Sequence, residues 1–149
     1  MKSLLLILFA IGLIWLRSSY GKLTEGTFVQ TLGETLSKVA PKNPYPWYKD
    51  FLTSVAIPNS KVFGTLVLTG EFLSAVLITA GALGLLLSPR PHKLLSKVLA
   101  AGLLIGAFLN LTFWLGFGYT SPSTDTLNLL MAVIQIVGVF YIWKGLKKA

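Results

Sequence analysis

The feature that most limits the fold of this chain is an apolar run at residues 62–87 that contains one carboxylate, Glu71. The run exceeds the roughly 20 residues that a helix needs to cross the hydrocarbon core of a bilayer. An ionisable side chain at that depth is costly unless it is paired or wet, so it normally faces protein or a cavity. The sequence therefore predicts a membrane-spanning helix whose glutamate has neighbours on other helices.

The composition of the whole chain agrees with a membrane protein. Its 149 residues are 54% hydrophobic, with a mean hydropathy of +0.72, which is too apolar for an ordinary soluble domain. The chain has no cysteine, so disulfides, thiolate nucleophiles and iron–sulfur clusters are excluded. The single histidine, His92, cannot form a paired-histidine haem site, and no metal site is expected. Redox chemistry would therefore need a diffusible organic cofactor or a partner subunit.

Four apolar runs long enough to cross a bilayer divide the chain, at residues 3–23, 62–87, 98–119 and 126–143. Residues 3–16 could also be the core of a signal peptide, but residues 17–20 lack small side chains at the spacing of a cleavage site. Because the run reaches a spanning length when it continues to Leu23, we favour a retained helix. The expected fold is all-α, an integral membrane four-helix bundle, with residues 1–149 as one domain.

Residues 22–60 form a long loop of mixed composition, predicted to be extracytoplasmic and to contain short amphipathic helices. A first helix, ending at Pro41, is predicted from apolar residues at helical spacing: Phe28, Leu32, Leu36 and Val39. A second is predicted to start at Pro46 and to carry an apolar face of Trp47, Phe51 and Val55. Aromatic helices of this kind suit the headgroup layer. They form either a cap that covers the bundle or a lid that faces a substrate.

The basic residues set the predicted orientation. The net charge is +8, and its placement beside apolar runs is typical of membrane topology and contact with anionic lipid rather than of nucleic-acid binding. One side carries basic residues close to the span ends: Lys2, Arg90, Lys93, Lys97, Lys144, Lys147 and Lys148. The other carries dispersed ones: Lys22, Lys38, Lys42, Lys49 and Lys61. This density favours both termini in the cytoplasm, in a prokaryotic-type plasma or energy-converting membrane.

Polar residues of several predicted spans fall at a similar depth. Counted inward from the outer helix ends, Glu71, Asn110 and Gln135 lie nine residues in, which is roughly 14 Å. Arg17 lies nearer its helix end, and its long side chain either reaches the same level or snorkels to the interface. The alignment predicts a shared interior cavity. The alternative, interhelical hydrogen bonds that only fix packing, is sufficient for Asn110 and Gln135 taken alone.

Two kinds of chemistry suit a buried carboxylate surrounded by amides and aromatic rings. A quinone head group needs hydrogen-bond partners for its carbonyls and a group that exchanges protons. In that case Glu71 and Arg17 are the predicted catalytic residues, and the predicted cofactor-binding residues are Asn110, Trp114, Gln135 and Asn128. Alternatively, Arg17 with Lys22 or Lys61 attracts an anionic substrate to the outer mouth of the site.

Short motifs spread over nearly the whole chain are similar to those of a known family. They are GLIWL at 12–16, GKL at 21–23, NP at 43–44, WY at 47–48, FL at 51–52, PN at 58–59, FG at 63–64, GE at 70–71 and SPSTDTLN at 121–128. The first two resemble the opening of the DoxX/DoxD family, and most of the others resemble its DoxD-like branch. Each motif is short and mostly hydrophobic.

The resemblance implies a four-helix integral membrane protein linked to quinone chemistry. DoxD is known as the large subunit of a thiosulfate:quinone oxidoreductase that acts with a smaller partner, DoxA, and DoxX relatives are associated with membrane oxidoreductase complexes. Lys22, Glu71, Asp125 and Asn128 match the family's polar signature. Arg17 departs from it, because a neutral or acidic residue is expected there. The extra domain of fused members has no counterpart here, which implies that a partner supplies what DoxA supplies.

The expected function is that of a membrane subunit in a quinone-linked oxidoreductase complex, with quinone as cofactor and thiosulfate as a candidate electron donor. Expected partners are membrane lipids and other membrane-complex subunits, either DoxA-like or part of a larger electron-transfer complex, and not nucleic acid. The main alternative is a non-catalytic accessory subunit that packs and binds lipid in a respiratory or photosynthetic complex. A small transporter is less favoured, since the sequence has no inverted repeat or broken helix.

Overall fold

The computed structural model describes residues 2–88 and 92–146, and every regular element within them is helical. The α-helices are α1 (Lys2–Glu25), α2 (Phe28–Val39), α3 (Pro46–Phe51), α4 (Ser60–Leu87), α5 (Lys93–Phe117) and α6 (Pro122–Leu146). A π-helical turn, Leu52–Ala56, continues α3, and 3₁₀ turns at Ala40–Lys42 and Gly118–Thr120 follow α2 and α5. The all-α prediction is confirmed over the described residues.

Within this described part, four helices are long and apolar enough to cross a membrane: α1, α4, α5 with its 3₁₀ turn, and α6. They confirm the predicted runs at 3–23, 62–87, 98–119 and 126–143, and each helix extends beyond the predicted bounds at one end or both. In particular, α1 continues without a break through residues 17–20 to Glu25. The chain thus has the span content of an integral membrane protein.

Neighbouring spans run antiparallel, so the bundle has two ends. Along α1 and α4, for example, Gly12 lies against Thr79 while Lys22 lies against Glu71. We call one end the loop end, which carries Glu25, Ser60, Phe117 and Pro122. We call the other the terminal end, which carries Lys2, Leu87, Lys93 and Leu146.

Glycines allow the spans to approach closely near the terminal end. A Cβ atom at Gly81 of α4 would lie only 2.9 Å from the Cα of Leu99 on α5. Gly138 of α6 packs against Leu8 of α1, which closes the ring of four helices. Close contact through small residues is an effective way to pack helices in lipid, because burial of apolar surface gives no net driving force there. The terminal half of the bundle is therefore densely packed.

Towards the loop end, α4 and α5 separate. At Gly70, the nearest atoms of α5 belong to the side chain of Leu109, 3.1 Å from a Cβ position, and no longer to the backbone. About one turn further along α5, the hydroxyl of Tyr48 from α3 donates to the carbonyl oxygen of Thr112 at 3.1 Å. The loop residues thus border the space that opens between the two spans.

The segment between α1 and α4 folds over the loop end. Gly26 turns the chain with a φ of 67°, a conformation that glycine adopts without strain. α2 then packs along the first turns of α4, where a Cβ at Gly64 would lie 3.1 Å from the Cα of Val29. α3 contacts the same part of α4 through Phe51 and Phe63, whose ring centroids are 5.8 Å apart. These loop elements share an apolar core of Leu32, Leu36, Ala40, Tyr48, Leu52 and Ala56.

The predicted apolar face of the second loop helix is confirmed at Phe51, which packs against the loop core, and is wrong at Trp47 and Val55. Trp47 and Val55 are exposed, whereas Tyr48 and Leu52 are buried. Tyr48 can bury its ring because its hydroxyl has a carbonyl acceptor on α5. The π-helical turn after α3 then changes the facing of the residues that follow, since its hydrogen bonds span five residues instead of four. Trp47 remains at the surface, a position that suits an interfacial ring.

Three basic residues in the orientation argument, Arg90, Lys147 and Lys148, lie outside the described residues. The other members of that group lie at the terminal end, within two turns of a helix end: Lys2, Lys93, Lys97 and Lys144. A cytoplasmic end of a bundle is expected to carry such cations.

Candidate functional site

Glu71 lies inside the bundle, on the face of α4 that packs against α1, and its side chain is 0% exposed. Its Oε1 atom forms an ion pair with Nζ of Lys22. Its Oε2 atom accepts a hydrogen bond from the hydroxyl of Ser18 at 3.0 Å. A buried charge is tolerated only when it is paired and hydrogen-bonded, and here both carboxylate oxygens have partners. The glutamate thus has the neighbours that its position demands.

Ser18 and Lys22 lie one turn apart on α1, so both side chains face α4. Nζ of Lys22 also donates to Oγ of Ser18 at 3.5 Å, which closes the group of three. The ammonium lies 4.8 Å from the ring centroid of Phe28 and 5.5 Å from that of Phe113. Aromatic faces stabilise a cation in apolar surroundings. We call Glu71, Lys22 and Ser18 the charged cluster.

A cavity of about 1160 Å³ lies beside the charged cluster, in the loop-end half of the bundle. Its walls come from Lys22 of α1, from α2, from α3 and its π-helical turn, and from α4, α5 and the start of α6, and most of the lining residues are aliphatic or aromatic. Lys22 carries the only charge among the lining residues that the structure describes. Its side chain is 25% exposed, so the ammonium faces the cavity while Glu71 lies behind it. Apolar walls with one polar focus are typical of a site for a largely apolar ligand.

Asn110 and Gln135 form a second buried group between α5 and α6, where Nδ2 of Asn110 donates to Oε1 of Gln135 at 2.8 Å. Nε2 of Gln135 and Nε1 of Trp15 have no hydrogen-bond partner, and both lie beside Gly106. A Cβ atom at Gly106 would be 2.4 Å from the first and 2.9 Å from the second. We call Asn110, Gln135 and Trp15 the amide cluster. It joins three spans, α1, α5 and α6, and none of its members is among the described residues that line the cavity.

The predicted shared interior is therefore divided. Glu71 and Asn110 lie at similar depth, as their neighbours Gly70 and Leu109 touch across the α4–α5 contact. Their side chains nevertheless belong to different clusters, one at the cavity and one in the packed core. The structure does not bring Asn110 and Gln135 to the space beside Glu71. Their hydrogen bond joins α5 and α6, which agrees with the alternative interpretation that these two residues only fix helix packing.

Arg17 does not join the charged cluster, because it is exposed on α1 and forms no ion pair with Glu71 in the described structure. The expectation that its side chain reaches the polar level inside the bundle is wrong. The reason is helical rotation. Ser18 and Lys22 share the face towards α4, and a residue adjacent to Ser18 in sequence is turned about 100° away from it. The exposed position fits a side chain that snorkels towards the interface.

The remaining predicted site residues have different surroundings. Asn128 lines the cavity, and its Nδ2 donates to the carbonyl oxygen of Thr124 at 2.8 Å. Trp114 lies outside the lining, where its Nε1 donates to Oδ1 of Asp125 at 2.6 Å. Lys61 is exposed in the first turn of α4 and is also outside the lining.

Sequence reasoning missed two polar contributors, Ser18 and Tyr48. The spacing of Ser18 and Lys22, four residues apart, was a usable signal for a shared face. Tyr48 could not be found in this way, because its place in the cavity wall depends on the fold of the loop. Burial raises the pKa of the Tyr48 phenol to about 12, so the group stays protonated and acts as a donor.

No family model, no curated protein and no solved structure matches this chain. What defines its class is therefore the geometry itself. That geometry is an all-α membrane bundle with four candidate spans and a cavity in one half. The cavity wall is apolar except for a few polar groups and one paired ammonium.

Proposed function

We propose that the chain is a membrane subunit of a quinone-linked oxidoreductase and that a quinone head group binds in the cavity beside Lys22. The observation that carries this proposal is the single ammonium of the described lining, which is held by a buried carboxylate in a mostly aliphatic and aromatic cavity wall. An ammonium donates hydrogen bonds and accepts none, so it selects a ligand with an exposed oxygen acceptor. A quinone has carbonyl oxygens on an otherwise apolar ring.

The residues that are present fit such a head group. The cavity volume of about 1160 Å³ slightly exceeds the range of about 300–1,000 Å³ typical of pockets for drug-sized ligands. Phe28 and Phe113 supply aromatic faces next to the ammonium. When bound, a quinone supplies the capacity to accept two electrons and two protons. The motifs that resemble the DoxX/DoxD family support the same chemistry.

The charged cluster can hold and exchange a proton at this position. Lys22 would bind an acceptor oxygen through Nζ, and Glu71 would keep the ammonium charged and oriented. Loss of a proton from Nζ would leave the Glu71 carboxylate buried without its counter-ion, which strongly favours the return of a proton. Ser18 would hold the second carboxylate oxygen in place throughout.

The proposal includes a donor, a partner and an orientation. Two thiosulfate ions release two electrons when they join as tetrathionate, which makes thiosulfate the first donor to test. A DoxA-like or larger partner would complete the complex. The cation-rich terminal end would face the cytoplasm of a prokaryotic-type cell, and the cavity would then lie in the extracytoplasmic half of the membrane under the loop helices.

The binding test removes the charge without leaving one partner unpaired. We expect the double variant Lys22→Met/Glu71→Leu, in phosphatidylcholine nanodiscs, to bind decylubiquinone about tenfold more weakly or worse, because a hydrogen bond to a charged group contributes about 1.5–3 kcal/mol. Lys61→Met, which removes an exposed lysine outside the cavity, is the matched control and should bind normally. Equal binding by the two variants would rule out the Lys22 site.

The turnover test separates proton exchange from binding. With thiosulfate as donor and the partner complex present, Glu71→Gln should lose quinone reduction while it still binds decylubiquinone. Unchanged turnover would exclude a proton role for Glu71.

A second function is favoured by the charge of the same ammonium. A lysine in a mostly apolar cavity can also bind the phosphate of an anionic phospholipid. Such a lipid is the ligand expected if the chain is a non-catalytic accessory subunit. In that case the purified chain should retain phosphatidylglycerol and fail to bind decylubiquinone. In a separate purification from native membranes, the chain should come with a large complex in stoichiometric amount.

A further inference from the structure

The cavity wall is exposed on the seam between α4 and α5. Leu66 on α4 and Phe108 on α5 both line the cavity, yet they are 61% and 70% exposed, and Leu111 beside them is also exposed. On α4, Leu66 lies about one turn from Gly70 towards the loop end, and on α5, Phe108 lies next to Leu109, which contacts Gly70. The cavity is therefore open to the side of the bundle at this seam.

The opening lies at the level of the hydrocarbon layer. Leu66 is six residues inside the start of α4, and Phe108 is nine residues before the end of α5. At 1.5 Å per residue these are depths of roughly 9 and 14 Å. Both helices belong to the set that is long and apolar enough to span a membrane. When these helices cross a bilayer, the seam at this depth faces acyl chains and not water.

The hydroxyl at the seam is already satisfied, and the charged group of the cavity lies elsewhere. The hydroxyl of Thr112 at the seam donates to the carbonyl oxygen of Phe108 at 2.8 Å. The hydroxyls of Thr31 and Thr35 on α2 and Nδ2 of Asn128 on α6 likewise donate to carbonyl oxygens of their own helices. Lys22 is the one charged residue of the described lining, and it lies on α1, which does not form the seam. The cavity thus has an apolar side opening and a charged group in its interior, an arrangement that matches an amphiphile with its head inward.

We propose that the α4–α5 seam is a lateral portal through which a tailed membrane amphiphile enters, with its head at Lys22 and its tail along Leu66, Phe108 and Leu111. This inference rests on the proposed quinone site and names its substrate class as a long-tailed membrane quinone instead of a soluble one. A long prenyl tail exceeds the cavity, so part of it must leave through an opening, and the seam offers that route within the lipid.

The test compares a quinone that has a tail with one that has none. The probes are decylubiquinone and its tail-less head-group analogue, bound to the full chain in phosphatidylcholine nanodiscs. Leu111→Trp narrows the seam, and Leu104→Trp is the matched control, because Leu104 is exposed on the same helix but lies outside the cavity lining. Leu66→Trp narrows the seam from the α4 side and replaces Leu111→Trp in the test if that variant does not fold.

We expect Leu111→Trp or Leu66→Trp to weaken the binding of decylubiquinone about tenfold and to leave the binding of the tail-less analogue unchanged. The control Leu104→Trp should bind both probes with the affinity of the unmodified chain. The portal is overturned if the seam variants bind decylubiquinone as Leu104→Trp does, or if they lose both probes by the same factor. If the unmodified chain binds neither probe, the quinone site itself is wrong, which is a different result from either of these.

Discussion

The charged cluster and the amide cluster lie at similar depth in the same bundle, yet they differ in neighbours and in what they can do. In the charged cluster, Lys22 borders an open cavity and every oxygen of Glu71 is paired. In the amide cluster, neutral side chains are enclosed among α1, α5 and α6, and two donors have no partner among the described residues. Depth in the membrane therefore does not define a site. What matters is whether the polar group borders space that a ligand can enter.

The largest expected effect comes from breaking the ion pair. Lys22→Met leaves Glu71 buried without its counter-ion and should destabilise the bundle by about 3 kcal/mol, the low end for such a loss because Lys22 is 25% exposed. Replacing both partners, as in Lys22→Met/Glu71→Leu, should restore much of the stability. The measurement is unfolding in mixed micelles followed by circular dichroism. A double variant as unstable as the single one would show that the pairing is unimportant.

The amide cluster should be sensitive to volume and not to charge. Gly106→Ala places a methyl group 2.4 Å from Nε2 of Gln135, so we expect a loss of about 1–3 kcal/mol from overpacking. At Gly145, near the end of α6, a Cβ atom would meet none of the described residues within 4 Å, so Gly145→Ala should be neutral or slightly stabilising. The same unfolding measurement applies. Equal stability of the two alanine variants would mean that α5 and α6 do not approach as closely as described.

The amide hydrogen bond itself should contribute little. A double-mutant cycle with Asn110→Ala and Gln135→Ala should give a coupling of about 0.6 kcal/mol, the average for interhelical bonds in membranes. Neither variant should change decylubiquinone affinity, because neither residue lines the cavity. A marked loss of affinity at normal stability would place the amide cluster in the ligand site after all.

A separate effect, present only at alkaline pH, concerns the phenol at the cavity wall. Burial raises the pKa of Tyr48 to about 12 from an ordinary value of 10, so the unfolded chain loses this proton first as pH rises. The unfolded state then binds fewer protons than the folded one, and stability should fall between pH 10 and about 12. Tyr48→Phe should reduce that fall, measured by chemical unfolding at each pH. An unchanged alkaline profile would mean that the phenol is more accessible than its burial indicates.

Much of the fold could be predicted because length and hydropathy are local properties. The four spans and the helix at Phe28–Val39 follow from apolar runs, helical spacing and proline positions. The position of the apolar face on α3 could not be predicted, because it depends on a π-helical turn and on a carbonyl acceptor supplied by α5.

The candidate site was only half predictable for a related reason. Glu71 was identifiable as a residue that needs partners, but its partner proved to be Lys22 and not Arg17. Both cations lie near the same end of α1, and sequence position alone does not say which of them faces α4. The spacing of Ser18 and Lys22 shows that they share one face of α1, but only the structure shows that this face packs against α4.

The sequence by itself determined the number of apolar spans, their approximate bounds and the presence of one carboxylate within them. Only the tertiary structure decided which side of each span faces inward, and so divided the polar residues between a cavity and a packed core. The physical reason is that a helix in lipid is apolar on all sides, so hydrophobic patterning does not separate the lipid face from the interior face. Close contacts at glycines such as Gly81 and Gly138 set these rotations.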